Sequence, residues 1–397
     1  METTVNQLKQ EVQQVLTTNI LPYWMNKMRD KENGGFYGCI TGQETLVPES
    51  EKGAILNARI LWTFSCAYRV LHLPEYLETA TCAKREIIDH FYDNKLGGIY
   101  WSIDANGHPL DTKKQIYTIG FAIYGLSEYH RATGDCEALE YAIRLFHDIE
   151  AHSFDHEKNG YCEALTCEWK EIADMRLSPK DANERKTMNT HLHILEAYTN
   201  LFRIWKNEQL KKQLHNLIRL FVDEILNIDT KHLQLFFDDD WQSKHSIVSY
   251  GHDIEASWLI HEATYVLDDK QLLAEVEPYV IDIAEAASEG FLPSGGMIYE
   301  LHQNTSSIDA DRHWWVQAEA TVGYINLYQH FDDKFSLSRA VLCWKFIKAH
   351  LIDYKNGEWY WSLRADGTTN KDDDKAGFWK CPYHNGRMCL EIIERFS

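Results

Sequence analysis

The sequence predicts an all-α fold, an (α/α)6 barrel with short β-hairpins in its connecting loops, and two observations carry that prediction. A turn motif of glycine and aromatic residues recurs at intervals of roughly 60 residues, the mark of a repeat architecture. Each copy is followed by a helix apolar on nearly all faces and then by an amphipathic one, as expected for an inner and an outer ring.

The motif reads Asn33-Gly34-Gly35-Phe36-Tyr37-Gly38, then Leu96-Gly97-Gly98-Ile99-Tyr100-Trp101, then Asn159-Gly160-Tyr161. It returns as Ser294-Gly295-Gly296-Met297-Ile298-Tyr299 and as Asn356-Gly357-Glu358-Trp359-Tyr360-Trp361, with a degenerate copy, Leu233-Gln234-Leu235-Phe236-Phe237-Asp238, between them. Each copy reads as a short strand or hairpin entered through a turn. The apolar helices that follow are expected at 57–71, 116–130, 188–205, 252–266, 314–330 and 384–393. More polar outer helices are expected at positions such as 75–91 and 136–150. A solenoid needs polar capping repeats at its ends, and neither end shows one, so six units predict a closed ring. The chain 1–397 is read as one catalytic domain. The polar stretches 170–186 and 367–377 read as insertions on one rim.

Composition narrows the function classes. Of 397 residues, 44% are apolar and 25% charged, which is ordinary for a globular protein. No run approaches the roughly 18 apolar residues of a membrane span. The first residues lack the basic start and apolar stretch of a secretory signal. Nine cysteines occur without a CxxC pair, which speaks against zinc clusters and points to a reducing, cytoplasmic setting. Forty basic against 60 acidic residues give a net charge of −20, which disfavours nucleic acid and other polyanions as partners. Thirteen tryptophans admit two readings, core filling and flat platforms for sugar rings; packing accounts for most of them.

In such a barrel the inner helices run in one direction, so their N-termini converge on one mouth. Their first turns carry Arg59, Tyr117, Asn189 with His193, His252 with Glu255, Trp315 with Glu319, and His384 with Arg387. Asn189 and His193 are four apart, as are Trp315 and Glu319, so each pair shares a helix face. His191 and His313 lie beside the favoured positions and are read as structural. A single histidine is more often a satisfied core residue than a catalyst. Three at one mouth are costly to bury without a task. Imidazole suits proton transfer near neutral pH, and two imidazoles on opposite faces of a substrate could remove and return one proton. The HExxH spacing is absent, as are the GxSxG, GxxxxGK[ST] and GxGxxG motifs, so neither a metal nor a cofactor is expected. Glu255 and Glu319 could instead serve as the acid and base of a glycoside hydrolase. That reading leaves three histidines idle.

Three segments carry a family resemblance: Ser249-Tyr250-Gly251-His252-Asp253-Ile254-Glu255-Ala256, Trp314-Trp315-Val316-Gln317-Ala318-Glu319-Ala320, and Trp379-Lys380-Cys381-Pro382-Tyr383-His384-Asn385-Gly386-Arg387. With Ala58-Arg59-Ile60-Leu61-Trp62 near the start, the chain resembles the cellobiose 2-epimerases of the N-acylglucosamine 2-epimerase superfamily over almost its whole length. The resemblance implies an isomerase that epimerises C2 of the reducing-end glucose in neutral β-1,4-linked disaccharides, without a cofactor. It implies His384 and His252 as the acid/base pair, His193 as an auxiliary imidazole and Arg59 as the residue polarising the carbonyl or enediolate oxygen. Glu255 is expected to orient His252 and contact the sugar, Trp315 and Trp379 to carry the two sugar rings, and Tyr117, Asn189 and Glu319 to contact hydroxyls. Aldose–ketose isomerisation and N-acylglucosamine 2-epimerisation are the neighbouring alternatives. No heptad or apolar stripe points to an oligomer, and a monomer is expected.

Overall fold

A computed structural model describes residues 2–397. Its helices form two concentric rings. The chain opens with an outer helix in two pieces, α1 (Glu2–Val15) and α2 (Leu21–Asn26), joined by a wider π turn at Leu16–Ile20. Inner and outer helices then alternate: α3 (Ala54–Leu71) and α4 (Pro74–Glu86), α5 (Ile116–Thr133) and α6 (Cys136–His152), α7 (Met188–Ile204) and α8 (Glu208–Leu220). They are followed by α9 (Tyr250–Leu267) and α10 (Lys270–Ala287), then α11 (Trp314–Phe331) and α12 (Lys334–His350). The last inner helix is α13 (Tyr383–Arg395), against which α1 packs. Each inner helix touches the next, and α13 touches α3, so the (α/α)6 ring is closed.

The inner helices are apolar all round because both of their sides are covered. Every residue from Ala54 to Ala67 and from Trp314 to Leu327 is buried. Outer helices bury one stripe: α8 hides Leu210, Leu214 and Leu217 against the ring and leaves Glu208, Lys211 and Lys212 in water. Two of them end early. The run expected at 75–91 is α-helical only to Glu86 and then widens into a π turn at Ile87–Phe91, and α8 does the same at Phe221–Ile225.

Five of the six inner helices are entered through a strand of two or three residues that pairs with a strand of the following unit. Lys114–Gln115 lies against Ala164–Leu165, and Lys186–Thr187 against Phe236–Phe237. The glycine turn before each strand has a second component that the motif did not reveal. In four units an aspartate opens the turn: Asp30, Asp93, Asp155 and Asp353. One carboxylate oxygen of each accepts two backbone N–H bonds from the turn. The other oxygen meets a buried lysine from the segment ahead of the next inner helix, at 3.0 Å for Lys52, 2.9 Å for Lys114, 3.3 Å for Lys186 and 2.6 Å for Lys375. Gly35 follows at φ +63°, where an added Cβ would fall 2.3 Å from the Glu86 carboxyl carbon. The degenerate fourth unit replaces the lysine pair with His232 on Asp253, 2.7 Å apart.

This frame corrects one boundary. The stretch 367–377 is not simply an insertion. Lys375 occupies the lysine slot of the repeat and Ala376 bridges to Ile40, so it is the sixth inter-unit connection. The ring is locked at the same seam by Glu358. That buried carboxylate accepts from Trp24 of α2 (2.6 Å), from Lys380 (2.7 Å) and from Asn385 of α13 (2.6 Å).

Candidate active site

The first turn of each inner helix sorts its side chains by angle. In four helices the residue three places after the start turns away from the axis and ties down backbone at the helix mouth, in three of them that of the adjoining hairpin. Asn57 bonds Gly53, Asp253 accepts from the Leu233 amide, and Gln317 takes both the N–H and the C=O of Met297. His191 is the same latch: Nε2 accepts from the Tyr161 amide and Nδ1 meets the Thr187 carbonyl, which makes its structural reading correct. Residues one or two and five places after the start converge on the axis, and these, together with Arg387 four places into α13, are the ones singled out above.

Three imidazoles meet at this level. The His252 and His384 rings both pack on Trp315, with centroid separations of 4.8 and 5.6 Å, which bounds the distance between them. Gly251 makes this possible, because a Cβ there would lie 2.6 Å from the Trp315 ring. The third, His193, packs edge-on against Tyr117 at 5.0 Å. Burial first, and then the neighbouring His193, pushes His252 down to about 3. Burial, with the charges of Arg59 and Arg387, holds His384 well below the ordinary imidazole value. His193 is lowered by burial in spite of its carboxylate partner. All three are therefore neutral near pH 7.

Their tautomers follow from their partners. His384 Nδ1 lies 2.7 Å from Glu319 Oε1, and that oxygen also accepts from Arg387 Nη2 at 2.7 Å. A carboxylate oxygen that already accepts needs a donor opposite it, so Nδ1 carries the proton and Nε2 keeps a free lone pair. The same logic fixes His193, whose Nδ1 meets Glu196 Oε2 at 2.9 Å. His252 differs. Its Nδ1 faces the Ser249 hydroxyl at 2.8 Å, and a hydroxyl can donate or accept, so this ring can hold its proton on either nitrogen.

Beneath the imidazoles lies a charge cluster that the sequence reading saw only in part. Arg387 is fully buried between the Trp258 and Tyr383 rings, at 4.7 and 4.3 Å. Its guanidinium bonds Glu255 (2.5 Å), Glu319 and Glu196. Burial opposes ionisation of Glu196, but the Arg387 charge and the His193 bond bring it down to about 2. Glu255 and Glu319 shift upward, chiefly through burial and for Glu255 also through the charge of its neighbour.

Two expectations need correction. Glu255 does not orient His252; it sits on Arg387, 4.0 Å from His384 Nδ1, because position 255 faces the axis where the guanidinium captures it. Glu319 does not face an open cavity. It is fully buried, with its oxygens taken by His384, Arg387 and Trp258 Nε1 (3.1 Å). Arg387 and Glu196 received no role from the sequence, although His193…Glu196 repeats the three-residue spacing of His252…Glu255 and could have drawn attention to it.

Glu255, Glu319 and His384 offer ligand atoms within 4.8 Å of one another, the pattern of a metal site. A fixed cation already occupies it: Arg387 Nη2 contacts both carboxylates. The same fact excludes these two glutamates as a glycosidase pair. Their oxygens are closer than the roughly 5–5.5 Å of retaining enzymes, and a guanidinium, not a glycosidic bond, lies between them.

Arg59 is the opposite case. It is buried, stacked over Phe121 at 4.3 Å and bonded to Tyr117 Oη at 2.6 Å. No carboxylate pairs with it, and its Nε has no partner, among the described residues. A buried cation without a counter-ion is expensive to maintain unless negative charge arrives during the reaction. Asn189, one turn ahead of His193, is half-buried, with Oδ1 also unpartnered. Outside Tyr117, the Trp379 ring (6.4 Å away) faces a cleft of about 350 Å³ lined by Trp101, Lys113, Asp174, Arg176 and Phe378. The stretch 170–186 thus forms one wall, as expected of a rim insertion.

The closed (α/α)6 ring agrees with the comparisons. The N-acylglucosamine 2-epimerase (GlcNAc 2-epimerase) family profile matches residues 35–386. A cellobiose 2-epimerase of Bacteroides fragilis is 69% identical over 386 residues, covering 97% of this chain and 98% of that protein. A cellobiose 2-epimerase of Ruminococcus albus is 43% identical over the same shares. The solved structure of cellobiose 2-epimerase from Bacillus thermoamylovorans superposes with a TM-score of 0.94 at 43% identity, covering 98% of this chain and all of that one. The chain belongs to the N-acylglucosamine 2-epimerase family.

Proposed function

We propose that the chain is an isomerase of the cellobiose 2-epimerase type, which interconverts glucose and mannose at the reducing end of β-1,4-linked disaccharides. The observation that carries this reading is the meeting of two neutral imidazoles on one tryptophan, beside a buried arginine that lacks a counter-ion. Metal-free, cofactor-free proton transfer is what such a set can perform.

The sugar must first open. The C1–O5 bond breaks, O5 takes a proton from water, and the O1 proton passes to His252, whose serine partner tolerates either tautomer. His384 Nε2 then removes the C2 proton. The C–H electrons form the C1=C2 bond, and charge moves onto O1, where Arg59, steadied by Tyr117, meets it. Glu319 stabilises the resulting His384 imidazolium through Nδ1. Rotation about C2–C3 presents the opposite face, and His252 delivers its proton there to restore the aldehyde. Ring closure then reverses the opening: O5 attacks C1 as its proton returns to the hydroxide left by the first step, and O1 takes the proton held by His384. His193 assists the exchange, and Asn189 holds a hydroxyl through its free Oδ1. Trp315 carries the reacting ring and Trp379 the outer one.

The whole chain, 1–397, acts as one catalytic unit on a neutral sugar, which is consistent with its strong negative charge. The nine cysteines are all free, including the exposed Cys136, which favours a reducing cytoplasm. No helix among the described residues is long and apolar enough to cross a membrane. We read the enzyme as a monomer.

Product analysis tests the reading. With cellobiose, NMR is expected to show glucosyl-mannose at the reducing end. Free glucose would mean glycosidic cleavage, and an accumulating ketose would mean that the proton returns to C1 instead of C2.

A further inference from the structure

Glu163 lies outside the imidazole cluster and plays no part in the steps above, yet it is 1% exposed and has no cationic partner among the described residues. Its carboxylate accepts from Thr187 Oγ1 (2.7 Å) and Thr190 Oγ1 (2.8 Å), at the start of α7, and from Gln115 Nε2 (3.0 Å), the residue that precedes α5. Its backbone joins the same elements: the carbonyl accepts from the Ile116 amide, and the amide donates to the Arg185 carbonyl. Gln115 Nε2 also donates to the Met175 carbonyl, inside the loop that walls the Trp379 cleft. One carboxylate thus ties together the helix starts that carry Tyr117, Asn189 and His193 and the segment that shapes the cleft.

We propose that Glu163 is a positioning residue for the outer sugar, holding the 174–179 wall of the Trp379 cleft in register with the first turns of α5 and α7 through its bonds to Gln115, Thr187 and Thr190. The inference rests on the reading of that cleft as the outer-sugar site.

The ionised form does this best, since bonds to a charged acceptor are about twice as strong as neutral ones. Burial pushes the Glu163 carboxyl up to about 7, against the three bonds that favour its charge, and Asp181 adds negative charge from the loop. The other charged groups on the flanking strands turn elsewhere: Lys114 to Asp93, Lys186 to Asp155, and Arg185 to Glu171 and Asp239. The neighbouring Cys162 thiol bonds Ser153 and is itself pushed up, first by burial. As pH falls through 7 the carboxyl becomes neutral and the hold on Gln115 weakens, so affinity for a two-ring ligand should fall with it.

Cellobiitol, a reduced disaccharide with no carbonyl to acidify its C2 proton, reports affinity without turnover, and glucitol reports the inner site alone. Calorimetry between about pH 5.5 and 8.5 is expected to show cellobiitol binding weaken about five-fold toward acid, one hydrogen bond's worth, while glucitol stays flat. Glu163→Gln should bind cellobiitol at the weak, acid-side level across the whole range. Thr190→Val, which deletes one stabilising bond and little volume, should move the midpoint to higher pH and covers the case in which Glu163→Gln does not fold. Glu300, also raised to about 7 by burial and facing Asp181, Asp309 and Lys180 across the rim, is the rival source of such a transition. A midpoint unchanged in both variants would assign it to Glu300 and overturn the proposal. Cellobiitol that binds no better than glucitol at any pH would instead remove the outer-cleft reading, and this inference with it.

Discussion

Replacing His384 with alanine should lower the rate of disaccharide epimerisation by about 10²–10⁴-fold, the contribution of one well-placed general base. The expectation rests on the geometry of both ring nitrogens. Nδ1 is committed to Glu319, so Nε2 alone is free to take a proton, and neither of the other groups bonded to Glu319, the Arg387 guanidinium and the Trp258 indole, can accept one. Because Arg387 still bridges the three carboxylates, the fold should persist, and circular dichroism should match the parent. The KM should change much less than kcat, since Trp315 and Trp379 remain to hold the sugar. A loss of affinity with kcat preserved would move His384 from catalyst to binding residue.

Arg387→Met should act through stability first. The side chain is fully buried, and its removal leaves Glu196, Glu255 and Glu319 facing one another without a cation. Breaking a buried ion pair from one side typically costs about 3–5 kcal/mol, and here three partners are left behind. The carboxylates would relieve their repulsion by taking up protons, and His384 would lose the charge that stabilises its imidazolium. The variant is therefore expected to unfold at markedly lower denaturant and to be nearly inactive where still folded. Thermal and chemical unfolding, followed beside His384→Ala, separates the two effects. Unchanged stability in Arg387→Met would contradict the assignment of this residue as the centre of the cluster.

The contrast between these two residues shows what could be read from the chain alone. Helix periodicity was enough to gather His193, His252 and His384 at one mouth, because a helical face is a matter of counting from its first residue. It also separated His191 from His193, which lie two positions apart and so face different neighbours. Depth along the axis is harder. Arg387 and Glu196 belong to a layer just below the imidazoles, and only the radial packing of six helices says which side chains meet there. The Asp–Lys pairs that staple the turns were hidden for a similar reason. Asp30 and Lys52 are separated by a glycine turn and a long loop, so no helical or strand period relates them. The loop at 170–186 has no period at all. Its role as a wall came from Met175 reaching Gln115 and from Asp174 and Arg176 lining the cleft, contacts that composition does not encode.

The partnerships of the imidazoles also refine the mechanism that the motif alone suggested. His384 and His193 are held in one tautomer by carboxylates, whereas His252 faces a serine hydroxyl. The first arrangement suits a base that must always present the same lone pair. The second suits a group that takes up a proton as the sugar opens and later gives it away. The asymmetry explains why Glu255, three residues from His252, is better used on Arg387 than on the neighbouring imidazole.

Solvent exchange in single-histidine variants tests two-sided proton transfer most directly. In D2O, with the glucose form of the disaccharide as substrate, His252→Ala should exchange the C2 hydrogen for deuterium through His384 while returning almost no mannose form. His384→Ala should show the mirror behaviour, exchanging at C2 only when the mannose form is supplied. If both variants instead exchange the C2 hydrogen of the same epimer, the two imidazoles work on one face of the sugar, and the mechanism is wrong.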